Sequence, residues 1–161
     1  MKAKHDETEA DAIDRKLLGI LQHDALVGTE MLGEAVGLSA TAAKRRVNRM
    51  RQDGTIIKNV SIVDPERLGF EVFTLVSVNI ERDRRDIVVN FKRAIIQNPR
   101  ITQAFYTTGD ADFVLLVVSR TLADYELFTQ DFFWESPYIK SFKTMVVMEN
   151  VKMGFELPID Y

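Results

Sequence analysis

Residues 32–52 read Leu32-Gly33-Glu34-Ala35-Val36-Gly37-Leu38-Ser39-Ala40-Thr41-Ala42-Ala43-Lys44-Arg45-Arg46-Val47-Asn48-Arg49-Met50-Arg51-Gln52. Leu32 and Val36 lie one helical turn apart, at the end of a short helix expected over Thr29–Val36. Gly37 stands where a helix C-terminus wants a left-handed residue, and Leu38 supplies the apolar contact that accompanies such an ending. Ser39 is a good N-cap for a second helix over Ala40–Gln52, which Asp53-Gly54 ends. Helix, Gly-Leu-Ser turn, helix is the pattern of a helix-turn-helix.

The helix over 40–52 has two unlike faces. Ala43, Val47 and Met50 fall on one side, with Ala40 at its edge. Thr41, Lys44, Arg45, Asn48 and Gln52 fall near the other. The chain holds 21 Lys+Arg against 24 Asp+Glu, a formal net charge of -3, so bulk charge does not suggest nucleic acid. Distribution matters more. Between Ser39 and Gln52 stand Lys44, Arg45, Arg46, Arg49 and Arg51, and no acid. Reading base edges in the major groove needs long multidentate side chains on one face free of carboxylates. Lys44, Arg45 and Asn48 meet that need, and Thr41 near the helix start can reach phosphate or base. A solvated basic face is the plainer reading of such a stripe, but the capped turn before it favours DNA. Arg46 and Arg49 lie off the central face. They can hold phosphates or pair with acids of the same domain; phosphate is the expectation for Arg49, and Arg46 sits nearer the core edge.

Residues 1–10 are polar and without period, and read as a disordered tail. From about Asp11 to Gln22, Ile13, Leu17, Ile20 and Leu21 make one apolar face, with Asp11 as N-cap and Asp14 as first-turn negative charge. Residues 11–57 thus form the expected DNA-binding domain. Ile56–Val63 (IIKNVSIV) reads as a strand serving as wing or hinge. Asp64-Pro65 breaks it, so 58–71 is the expected hinge strand and linker.

Residues 72–161 form the expected second domain. Val72–Ile80 is strand-like. Arg84–Gln97 is helical, with Ile87, Phe91 and Ile95 on one face, and Asn98-Pro99 stops it. Strands follow over Ile101–Thr107 and Phe113–Val118, around a Gly109-Asp110-Ala111 turn. A helix over Thr121–Trp134 has Thr121 as N-cap and Asp124 in a box-like arrangement, and its aromatic cluster, Trp134 included, reads as core. Ile139–Met148 is the last strand. The β-α-β-β-α-β order is ferredoxin-like, so the fold class is α+β behind a winged helix-turn-helix. Val72–Ile80 and Phe113–Val118 are apolar on both faces, so one face of the sheet needs a partner.

Other chemistries find little support. There is no Cys, which excludes disulfides and thiolate zinc sites and fits a reducing cytoplasm. The histidines are His5 and His23, without metal-ligand spacing, and no nucleophile elbow, phosphate loop or dinucleotide fingerprint occurs. No metal, cofactor or catalytic residue is expected. The apolar runs are too short for a bilayer, and the charged first ten residues lack a signal-peptide core. In Gly109-Asp110-Ala111-Asp112, two acids around a tight turn can bind an amino group, although Gly and Asp are also ordinary turn formers.

Taken in order, several segments resemble the Lrp/AsnC family, the feast/famine regulators of bacteria and archaea. They are Asp11-x-x-Asp14 with Leu17-Leu18; Leu32-x-x-x-Val36-Gly37-Leu38-Ser39; Arg46-Val47 with Gly54-x-Ile56; Asp64-Pro65-x-x-Leu68-Gly69; the Gly109–Asp112 turn; and Thr144–Lys152. The likeness spans residues 11–157. Two positions depart: Leu26 stands where the family usually has arginine, and Ala40 where it often has proline.

The resemblance implies a transcriptional regulator that binds double-stranded DNA through Ser39, Thr41, Lys44, Arg45, Asn48 and Arg49. It implies dimers formed through the C-terminal sheet that assemble into tetramers or octamers. It also implies a small effector, usually an amino acid, bound between C-terminal domains near Thr108, Gly109, Asp110 and Asp112; Asp112 matches a position with a structural role too. Two other functions share the architecture. A tetrapyrrole decarboxylase-like enzyme is disfavoured because no histidine follows His23. An effector-independent, chromatin-architectural protein would give nonspecific footprints indifferent to amino acids.

Overall fold

The computed structural model describes residues 10–81 and 85–159. The expected disordered tail therefore lies outside the described residues except for Ala10. The chain divides into two compact units: one comprises residues up to Ile62 with those from Lys152 onward, the other Val63–Val151.

The first unit is built on three helices, α1 (Ala12–His23), α2 (Thr29–Val36) and α3 (Ala40–Gln52). Each starts or stops where its side chains dictate. Asp11 accepts from the backbone N–H of Ile13 and Asp14 at 2.9 and 2.8 Å, and Asp14 reaches back to the N–H of Asp11, closing a capping box. Gly37 adopts φ 70°, ψ 33°, and Leu38 N–H donates to Gly33 C=O at 2.8 Å. Ser39 Oγ accepts from Ala42 N–H at 3.2 Å. Leu17, Leu32, Ala43, Val47 and Met50 form the buried core, flanked by Ile13, Leu21, Val36 and Ile56.

Two features of this unit differ from expectation. Residues 56–63 form no strand. Ile56 N–H donates to Met50 C=O at 2.7 Å and its side chain packs on the core, but Ile57, Val60, Ile62 and Val63 are exposed. A strand needs a neighbour to satisfy its backbone, and none of the described strands pairs with this segment. The residues after Val151 group with the helices rather than with the second domain. Gln22 clamps Leu157 through both backbone groups, at 3.1 and 2.7 Å.

The second unit holds β1 (Val72–Ile80), α4 (Arg85–Gln97), β2 (Ile101–Tyr106), β3 (Phe113–Ser119), α5 (Leu122–Thr129) and β4 (Ile139–Val146). The strands form one antiparallel sheet in the order β2-β3-β1-β4. Alternation puts Val76, Val78, Ile80, Leu115 and Val117 on one face with Phe91, Ile95, Tyr125, Phe128 and Phe133 from the helices. The opposite face carries Phe73, Leu75, Val114, Leu116, Val118 and Met145, half-buried or exposed. Asp64 accepts from Glu66 N–H at 3.0 Å and opens the 3₁₀ turn Glu66–Leu68, the ordered part of the expected linker.

The last helix breaks its period. After Thr129 the chain makes a π-helical turn, Gln130–Trp134. The extra residue per turn shifts the helix phase. Phe132 and Phe133 both pack against the core, and Trp134 swings out to 75% exposure, its ring meeting Phe142 edge-on. Trp134 is therefore not core. Only half of the expected capping box forms here. Thr121 Oγ1 accepts from Asp124 N–H at 3.1 Å, while the Asp124 carboxylate accepts from Arg120 N–H at 2.9 Å and pairs with Arg100. The Arg120 N–H and the Arg100 guanidinium hold the Asp124 carboxyl below its usual range.

Candidate nucleic-acid interface and effector turn

The core face of α3 is buried at Ala43, Val47 and Met50, which forces the rest of its side chains outward. Thr41, Lys44, Arg45, Asn48, Arg49 and Gln52 line one surface depression of about 390 Å³. Lys44 and Arg45 have no ionic partner among the described residues, so both charges remain available. Among the described residues, the Asn48 side chain has one partner, a long contact from Arg51 at 3.4 Å. Ser39 sits at the helix start with its hydroxyl engaged by Ala42 N–H.

Arg46 and Arg49 are placed differently. Both point at the Asp14 carboxylate on α1, which is 1% exposed. Arg46 Nη1 lies 3.0 Å from Asp14 and 2.6 Å from Asp11. Arg49 Nη2 donates to the other Asp14 oxygen, and its Nε lies 3.9 Å from Asp53. Asp11 is held below the usual carboxylate range, first by the Asp14 N–H and then by Arg46; Arg46 is pushed up by Asp11 and then Asp14. The pairing alternative for Arg46 is the one the structure takes. Arg49, expected on phosphate, has its guanidinium on Asp14.

Sequence reasoning saw Asp14 only as a helix-dipole charge. The signal that could have found its role is the i, i+3 spacing of Arg46 and Arg49 with an acid on a neighbouring helix. Gly33 was missed as well: a Cβ there would stand 2.6 Å from Leu38 O and 3.1 Å from Ala40 N. The absent side chain lets α2 press against the turn that delivers α3.

In the second unit the candidate turn joins β2 to β3. Thr107 N–H donates to Asp112 C=O at 2.9 Å, and Thr107 Oγ1 to Ala111 C=O at 2.6 Å. Gly109 has φ 116°, open to glycine alone at low cost. Thr108, Gly109 and Asp110 are exposed at the tip. Asp112 points the other way and is 7% exposed. Its N–H donates to Val78 C=O at 3.0 Å, and its carboxylate accepts from Ile80 N–H at 3.0 Å. The side chain thus extends the β1–β3 ladder past its last pair, Val78–Phe113. The four candidate effector residues do not form one surface cluster.

Residues 11–51 match the AsnC-type helix-turn-helix domain, and residues 74–157 the Lrp/AsnC ligand binding domain. An HTH-type transcriptional regulator of Sinorhizobium fredii is 45% identical over 152 residues, covering 94% of this chain and 90% of that one. An AsnC family transcriptional regulator from Agrobacterium tumefaciens superposes with TM-score 0.88 at 31% identity, over 94% of this chain and 98% of that one. A transcriptional regulator from Neisseria meningitidis, solved as a complex with L-Met, gives TM-score 0.89 over 94% and 98%, at 22% identity.

Proposed function

The chain belongs to the Lrp/AsnC family of transcriptional regulators, and from that premise we propose that it is a cytoplasmic, non-enzymatic regulator that reads a specific DNA sequence and answers to a small metabolite. The carrying observation is the outward face of α3, where Lys44 and Arg45, without an ionic partner among the described residues, stand beside Asn48 and Thr41. Arginine and lysine suit guanine O6/N7 and asparagine suits adenine N6/N7. Ser39 and Thr41 at the helix start are placed for the flanking backbone, whereas Arg49, first expected there, is engaged by Asp14.

The effector is an amino acid or a close relative, held between C-terminal domains at the exposed turn. Support comes from the free tip Thr108–Asp110, with its glycine backbone and a carboxylate for an ammonium group, and from the ligand named for the Neisseria relative. The protein acts as a homodimer that assembles further, to a tetramer or octamer. The apolar sheet face of Phe73, Leu75, Leu116 and Met145 supports this, since lone domains rarely expose so continuous a patch.

Operator selection from random DNA, followed by titration of wild type and Arg45→Ala on the selected site, tests the reading. Losing a bidentate guanine contact costs about 1–3 kcal/mol on that site and relaxes base preference there. A wild type that enriches no sequence, or an Arg45→Ala protein with unchanged affinity and preference, removes α3 from the groove.

A further inference from the structure

We infer that Asp14 is a specificity-determining residue, which holds Arg46 and Arg49 away from DNA phosphates and so restrains binding to unrelated sequence. The inference rests on α3 meeting DNA as proposed above.

Five cations lie on α3. The structure sorts them by direction. Lys44 and Arg45 face outward without ionic partners among the described residues. Arg46 and Arg49 turn toward α1, where one buried carboxylate takes a guanidinium on each oxygen and Asp11 adds a second acid to Arg46. With Asp53 also 3.9 Å from Arg49, the acids here at least match the two arginines, so this flank of the helix carries little net positive charge. Both arginines are still partly open to solvent, with side chains 26% and 43% exposed. They border a second depression, lined with Arg45. Their distance from a DNA backbone is therefore set by the carboxylates and not by burial.

Binding to unrelated sequence depends on how many cations neutralise phosphates and release counterions. Base reading depends on the few side chains that reach the groove floor. A carboxylate that occupies two flanking arginines lowers the first without touching the second. Stability is a poor alternative reason for the arrangement, since a buried ion pair generally gains little over apolar residues of the same shape. Phosphate and carboxylate also compete for the same planar fork of donors.

The test is a salt titration of the full chain on a random-sequence duplex and on its selected operator, for wild type, Asp14→Asn and Asp11→Asn. Asparagine keeps the shape of Asp14, and at position 11 it keeps a good N-cap. Asp14→Asn takes away the buried partner of Arg49 and leaves Arg46 on Asp11 alone, so it should steepen the slope of log K against log salt by between about 0.9 and 1.8 per DNA-binding domain, at about 0.9 per phosphate contact. Random DNA should then lose roughly an extra three- to tenfold in affinity between 50 and 200 mM salt, starting from tighter binding at low salt. The ratio of operator to random affinity should fall. Asp11→Asn frees Arg46 in part and should give about half that change or less; it decides the matter if Asp14→Asn does not fold.

A folded Asp14→Asn protein that binds all DNA more weakly, with the slope unchanged, overturns the inference and leaves Asp14 a purely structural residue. Unchanged slopes in both variants overturn it too. A wild type whose DNA affinity does not depend on salt would instead remove the DNA-binding reading beneath it.

Discussion

Gly33→Ala separates local helix preference from tertiary packing, because the two predict opposite signs. Gly33 lies inside α2, and alanine in a helix interior is better than glycine by about 1 kcal/mol. Local preference alone therefore makes the substitution stabilising. In the folded unit the new Cβ would stand 2.6 Å from the Leu38 carbonyl oxygen and 3.1 Å from Ser39 C and Ala40 N. Ordinary contact begins near 3.4 Å, so backbone must retreat by about 0.8 Å. The retreat also disturbs the Leu38 N–H bond to Gly33 C=O, 2.8 Å long, which is worth about 1 kcal/mol net. Overpacking of this kind costs about 1–3 kcal/mol. Together these outweigh the propensity gain, for a net loss of about 1–3 kcal/mol. In a unit of this size that lowers the melting temperature by roughly 4–8 °C per kcal/mol. Gly19→Ala is the matched control. It is also a helix-interior glycine, but its Cβ would meet only Ile159 Cδ1, at 3.9 Å, so it should raise stability by up to about 1 kcal/mol. Calorimetric unfolding of both variants gives the two signs. A Gly33→Ala protein as stable as Gly19→Ala would refute the packing reasoning. Because the displaced turn carries Ser39 into α3, operator affinity should fall with stability in Gly33→Ala and not in Gly19→Ala.

The turn after β2 predicts a split between its two acids. Asp110→Ala should abolish the calorimetric response to the effector amino acid and leave the melting temperature within about 2–4 °C, since a surface change moves stability by about 0.5 kcal/mol or less. Asp112→Ala should lower the melting temperature, because the buried Ile80 N–H loses its acceptor at a cost of about 1–3 kcal/mol. Wild-type effector affinity in the Asp110 variant would show that the turn is only a turn. For assembly, Leu75→Glu puts a charge on the sheet face opposite the helices, beside Leu116 and Met145. Light scattering at micromolar concentration should show wild-type dimers or larger species and a smaller species for the variant. A monomeric wild type would end the sheet-dimer proposal.

The residue order by itself determined what depends on neighbours along the chain. Caps at Asp11, Ser39 and Thr121, the left-handed Gly37 and the apolar periods of the helices act within a few residues, so their spacing set the helix-turn-helix and the β-α-β-β-α-β order. The outward side of α3, proposed to meet DNA, was legible for the same reason: once Ala43, Val47 and Met50 turn inward, Lys44, Arg45 and Asn48 must turn out. The tertiary structure decided whatever depends on residues distant in the chain. Ile56–Val63 has every local mark of a strand but lacks a paired neighbour, and hydrogen bonding between strands cannot be read from one of them. Trp134 left the core because a π turn moved the helix phase. Gly33, a liability for α2 alone, is required by the Leu38 carbonyl that α2 meets. Asp112 became a ladder residue because its carboxylate meets Ile80, 32 positions away in the chain. Arg46 and Arg49 look like the rest of a basic stripe until α1 packs alongside. Asp14, 32 and 35 residues before them, then turns two of the five cations aside, because a buried carboxylate must take the nearest cations to offset the loss of water.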